Sequence, residues 1–138
     1  MPGWKRPEDI IAYRLAVRLR DWVLSLLDSG TIPFNYHFRE QIADCARSAP
    51  ANISEGFARY KHGQFGYHVG VAMGSLAELR THLEEAHTRR FVTEETFQDL
   101  LKLLIETKKT TSGLLKHLKT TEAPEPWADD EPDRAPSI

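Results

Sequence analysis

The chain has 138 residues, 41% hydrophobic and 28% charged, which suits one soluble domain whose core can fold without disulfides or metals. Cys45 is the single cysteine, so an internal disulfide is excluded and a reducing compartment fits; no apolar run approaches the roughly 18 residues of a membrane span. Net charge is −2, but six carboxylates against Arg134 give the last 17 residues −5 and leave residues 1–121 at +3, a mildly basic body with an acidic end.

The opening stretch, MPGWKRPED, lacks the apolar centre of a signal peptide, so a cytoplasmic location is expected. Period-two alternation and Asn-Gly or Asp-Gly turns are missing, and four helical stretches account for residues 1–121. The first runs from about Pro7, with Glu8 and Asp9 in its first turn, to about Ser29, and stops at Gly30. Its predicted apolar face is Ile11, Leu15, Leu19, Trp22, Val23, Leu26 and Leu27, opposite Arg14, Arg18, Asp21 and Ser25.

The second stretch carries Phe38, Ile42, Cys45, Ala49, Ile53, Phe57 and Tyr60 in helical phase. The phase survives Pro50, which predicts one bent helix rather than two. Pro50 costs about 3 kcal/mol through a lost hydrogen bond and a crowded carbonyl at Ala46, so tertiary packing must offset it. The third stretch repeats Phe65, Val69, Ala72, Leu76, Leu79, Leu83 and Ala86 at alternating spacings of four and three, the seam of a helix nearly parallel to its neighbours. Beside it lie Gly66, Gly70, Gly74, Ala77 and Thr81. Each interior glycine costs roughly 1 kcal/mol relative to alanine, so a second backbone is expected close by, from the same bundle or from another subunit. The fourth helix starts at Thr93 as N-cap, followed by Glu94 and Glu95, and runs to about Thr121 with a polar middle, TKKTTSG. Its apolar positions are Phe97, Leu100, Leu101, Leu104, Leu114, Leu115 and Leu118. Short connections imply an all-α, antiparallel up-down-up-down four-helix bundle over residues 1–121. Residues 122–138, with four prolines among acidic residues, are expected to form a flexible tail.

RSAPANISEGFARY followed by QFGYHVGVAMGSLAEL resembles the central motif of the bacterial 23S rRNA intervening-sequence proteins, a family related to accessory proteins of diversity-generating retroelements. The residues that carry the resemblance are Arg47, Pro50, Asn52, Ile53, Glu55, Gly56, Phe57, Phe65, Gly74, Ser75, Leu76, Glu78 and Leu79. The resemblance implies a four-helix bundle that assembles into a ring-like homopentamer, with no catalytic site and no cofactor. It also implies structured RNA, or a nucleic-acid enzyme such as a reverse transcriptase, as partner.

RNA binding requires clustered cations, because phosphate neutralisation supplies most of the affinity. Arg14 and Arg18, one turn apart, and Arg59 and Lys61, beside the motif, are the candidate nucleic-acid contacts. On a merely solvated face, Glu55 would pair with Arg59 and Arg18 with Asp21. Pure protein assembly, with the acidic tail recruiting a partner, is the alternative within binding proteins. An enzymatic alternative, a ribonuclease of the small helical HEPN type, would use Arg80 and His87 at the outer limit of its motif spacing. Glu84 and His87 form a Glu-x-x-His pair, but di-iron bundles need a second such pair, so no metal centre is expected. Cys45 lies on the apolar seam and reads as a core residue, and Asn52 and Glu55 read as structural partners for the backbone around Pro50.

Overall fold

A computed structural model describes residues 3–33, 35–60 and 63–121; Lys61 and the acidic segment 122–138 lie outside these. The described residues form four α-helices and no strand: α1, Ile11–Asp28; α2, Tyr36–Ala58; α3, Phe65–Thr88; and α4, Glu94–Thr121. Helix α1 packs on α2, α2 on α3 and α3 on α4, and α4 closes the circuit on α1. Four helices that pack in this way around one buried apolar cluster fit a bundle. No helix among the described residues is long and apolar enough to cross a membrane.

Pro7 does not open α1, as the sequence reading expected. Pro7–Asp9 is a separate 3-10 turn, and Ile10 breaks the path with an extended backbone at φ −93° and ψ 119°. The break lets the Ile10 side chain enter the core, where it is 2% exposed. The Asp9 carboxylate fastens the turn by accepting from the backbone N–H of Lys5 at 2.9 Å and of Arg6 at 3.2 Å. The Lys5 bond leads in holding that carboxyl below its ordinary pKa.

The buried face of α1 is also turned from the expected one. Ala12, Leu15, Ala16, Leu19, Val23 and Leu27 are buried, whereas Ile11 is 58% and Trp22 37% exposed. Packing against both α2 and α4 favours small alanines on the inner side and leaves bulky Ile11 and Trp22 at the edge. The helix ends near Gly30, whose φ of +79° favours glycine. Arg39 then secures the α1–α2 connection by donating to the carbonyls of Ile32 at 3.0 Å and Leu27 at 2.7 Å.

Helix α2 runs through Pro50 without interruption. All seven seam residues expected in α3 are buried. At the start of α4, Thr93 Oγ1 accepts from the Thr96 N–H at 3.1 Å, as an N-cap should. The polar middle of α4 is not wholly outward. Thr107 and Thr111 are completely buried, and their hydroxyls donate to the carbonyls of Leu103 and Thr107, each at 2.7 Å. Back-bonding to the preceding turn lets the core accept two hydroxyls without an unsatisfied donor.

Candidate functional site

Five side-chain meetings define the α2–α3 seam. Phe38 sets its ring edge to the His82 ring at 6.3 Å. Next, Cys45 faces Glu78 and His82, and Ser48 Oγ lies 2.7 Å from Ser75 Oγ. Asn52 Oδ1 lies 3.3 Å from His68 Nδ1, and Gly56 abuts Phe65 and His68. Positions rise along α2 as they fall along α3, so these two helices run in opposite directions.

Gly56 sets how close the helices come. A Cβ there would stand 2.8 Å from His68 Cβ, 2.9 Å from Phe65 Cδ1 and 3.1 Å from the Phe65 carbonyl oxygen. Two of those distances are shorter than packed atoms allow, so an alanine would force the helices apart. Asn52, one turn earlier, uses its amide nitrogen within α2, donating to the Ser48 carbonyl at 2.9 Å and hydroxyl at 3.0 Å. It therefore serves Ser48, not the carbonyl of Ala46 that Pro50 leaves without its helical donor. Ser75 also contacts its own helix, with its hydroxyl 3.2 Å from the Val71 carbonyl. The chain Ser75–Ser48–Asn52–His68 thus threads polar groups along the seam, each with a partner.

Cys45 is buried, and among the described residues Cys45, Glu78 and His82 place one ligand-type atom each within 4.8 Å of one another. Burial pushes the Cys45 thiol up to about 12, with the Glu78 carboxylate adding to the shift. As an unaided nucleophile it is inert, in keeping with a core role.

The charged motif residues Arg47 and Glu55 face outward. Arg47 lies 3.8 Å from Asp44, and Glu55 pairs with Arg59, whose second nitrogen reaches Gln64 Oε1 at 3.3 Å. The Arg59 hydrogen bond is the main cause of the lowered pKa of Glu55. Arg47, Pro50, Ser54 and Glu55 line a groove of about 490 Å³ between α1 and α2, with Tyr13 and Arg20 on the opposite wall. Arg14 donates to the Glu8 carbonyl at 2.6 Å, and Arg18 is exposed with no ion pair or hydrogen bond among the described residues. Asp21 pairs with Arg20 at 2.9 Å, not with Arg18.

Among the described residues, nothing comes close to the outer side of α3 at Gly70 and Gly74. A Cβ at Gly70 or Gly74 would meet no atom within 4 Å, and Tyr67 and Val71 beside them are 71% and 37% exposed. At Gly70 and Gly74 the close backbone expected at this stripe does not come from the described residues.

The family model of the 23S rRNA-intervening sequence protein matches residues 8–113, a span that includes the whole seam and both walls of the groove. The chain belongs to this family. Compared with curated proteins, it has no significant match.

In this family member the residues proposed for ribonuclease chemistry are engaged separately. Arg80 lies 3.4 Å from Glu84, while His87 stacks on Phe97 with ring centres 4.0 Å apart and meets Glu94 Oε1 at 2.7 Å. Glu84 and His87, the Glu-x-x-His pair, thus have different partners, Arg80 and Glu94. The sequence reading missed Arg20, Ser48, His68 and the role of His82. Ser48 was legible as the residue one turn before Asn52; the others depend on which helix faces which.

Proposed function

We propose that this 23S rRNA-intervening sequence protein is a non-catalytic module of antiparallel up-down-up-down topology, bent at Pro50, that assembles into a homo-oligomer and binds structured RNA. The observation that carries the assembly reading is the outer side of α3. Gly70 and Gly74 each cost helix stability of roughly 1 kcal/mol, and no contact among the described residues requires a glycine there. A second copy of the chain, approaching along Tyr67, Gly70, Val71 and Gly74, gives those glycines a use. The family resemblance makes five copies the expected number.

RNA binding is supported by the cations on α1 and α2. Arg20 and Arg47 stand on facing walls of the α1–α2 groove, and exposed Arg14 and Arg18 lie on the outer face of α1. A ring repeats this set in every subunit, and repetition multiplies weak phosphate contacts. A reverse transcriptase, as in the retroelement relatives, is the protein partner that such a nucleic-acid-binding ring would serve in the cytoplasm.

Two measurements test this. Native mass spectrometry at micromolar concentration is expected to give a pentamer, and a monomer refutes the assembly. Fluorescence anisotropy with a structured RNA is expected to show binding that weakens steeply with salt and is reduced in Arg20→Glu/Arg47→Glu. No binding at low salt refutes the RNA reading and leaves assembly alone, with the acidic tail as recruiter.

A further inference from the structure

The Cys45, Glu78 and His82 cluster joins two helices at one level of the seam, with Glu78 and His82 one turn apart on α3 and Cys45 opposite on α2. His82 is held by its neighbours. Its side chain is 15% exposed, and the Phe38 ring stands edge-on at an interplanar angle of 86°. Its Nε2 is buried and has no hydrogen-bond partner among the described residues; Glu78 Oε2 is 3.7 Å away, beyond hydrogen-bond range. A buried imidazole nitrogen without a partner is costly, and here it points at a carboxylate and a thiol.

We propose that Cys45, Glu78 and His82 form a binding site for a divalent transition-metal ion, with Zn²⁺ as the fitting case. A tetrahedral zinc bound by sulfur, nitrogen and oxygen separates its ligand atoms by about 3.3–3.7 Å, from bond lengths of roughly 2.0–2.3 Å. The His82–Glu78 distance of 3.7 Å already meets that, and the 4.8 Å limit on the whole set leaves a closure within reach of side-chain rotation. One thiolate, one imidazole and one carboxylate suit zinc or cobalt; magnesium and calcium take oxygen ligands instead. On binding, the Cys45 thiol gives up its proton to solvent, and its charge with that of Glu78 neutralises the ion. Exposed Glu78 provides the entry side and leaves the fourth position open. The ion ties α2 to α3 one turn from the Ser48–Ser75 contact.

The test is titration of the purified, reduced, metal-free full chain with Co²⁺, read by absorption and followed by displacement with Zn²⁺. One Co²⁺ per chain is expected, with a thiolate-to-cobalt band that Cys45→Ser abolishes. Glu78→Gln and His82→Gln are each expected to weaken binding at least tenfold, and His87→Ala to leave it unchanged. Because Glu78 is exposed, Glu78→Gln keeps the fold intact if the two more buried substitutions do not. Absence of the thiolate band, or a loss of less than fivefold in Glu78→Gln, overturns the proposal.

Discussion

Glycines lie along the two long sides of α3 in opposite settings, one on α2 facing it and two on α3 itself. On the side facing α2, Gly56 is met by Phe65 and His68 at distances that leave no room for a methyl group. On the far side, Gly70 and Gly74 face open space. The first contact is complete within the chain; the second is open among the described residues, and the proposed assembly gives it a use. The same residue type therefore marks a packed contact in one place and, on the proposed assembly, the seat of a second copy in the other.

The sharpest way to break this contrast is to add bulk on each side. Gly56→Val is expected to destabilise the fold by roughly 3 kcal/mol and Gly56→Ala by about 1–3 kcal/mol, measured by urea denaturation. Gly70→Ala, on the open side, is expected to leave the isolated chain unchanged or up to about 1 kcal/mol more stable. Equal losses on both sides would erase the distinction.

Removal of the polar thread comes next in size. Asn52→Ala takes away the bonds to Ser48 and the contact with His68 and is expected to cost about 1–2 kcal/mol by the same denaturation measurement. Ser75→Ala should cost less, because Ser48 keeps Asn52 as a partner.

Two smaller effects probe ionisation. In the metal-free chain, the raised Cys45 pKa means that the folded state holds its proton while an unfolded thiol loses it. Stability on this account is intact below the unfolded pKa near 9 and declines as pH rises from there toward about 12. Reaction of the native thiol with an aromatic disulfide at pH 8 should be slower than in the denatured chain by about three orders of magnitude. Glu94 gives the smallest effect. Its carboxyl is held low by Gln98 and then by His87, so its stabilisation is present above the ordinary carboxylate pKa and is lost as pH falls through the lowered value. Glu94→Gln should therefore flatten the acid limb of a stability–pH curve slightly, with little change at alkaline pH.

Much of the fold was legible because helical period is a local signal. The α3 seam is strictly periodic, and α2 keeps phase through Pro50, so both elements follow from spacing alone. The face of α1 did not, because Ala12 and Ala16 carry weak hydrophobic signals yet take the inner side, while Ile11 and Trp22 carry strong ones and lie outside. The buried threonines of α4 were hidden for a related reason, since their hydroxyls are satisfied by the preceding turn. The candidate sites were the least legible part. Arg20 facing Arg47, and Cys45 facing Glu78 and His82, depend on the register between helices, which one helix's sequence does not encode. Lone motif residues such as Asn52 and Gly56 could be singled out, but their partners could not.

The central claim is that the outer side of α3 is completed by a second copy of the chain. Native mass spectrometry of Gly74→Leu beside the wild type tests it most directly, because a Cβ at this position has open space among the described residues, and circular dichroism checks that the helices are kept. The account predicts a pentameric wild type and a monomeric Gly74→Leu of equal helicity. A wild-type monomer, or a variant that keeps the full oligomeric mass, would contradict it.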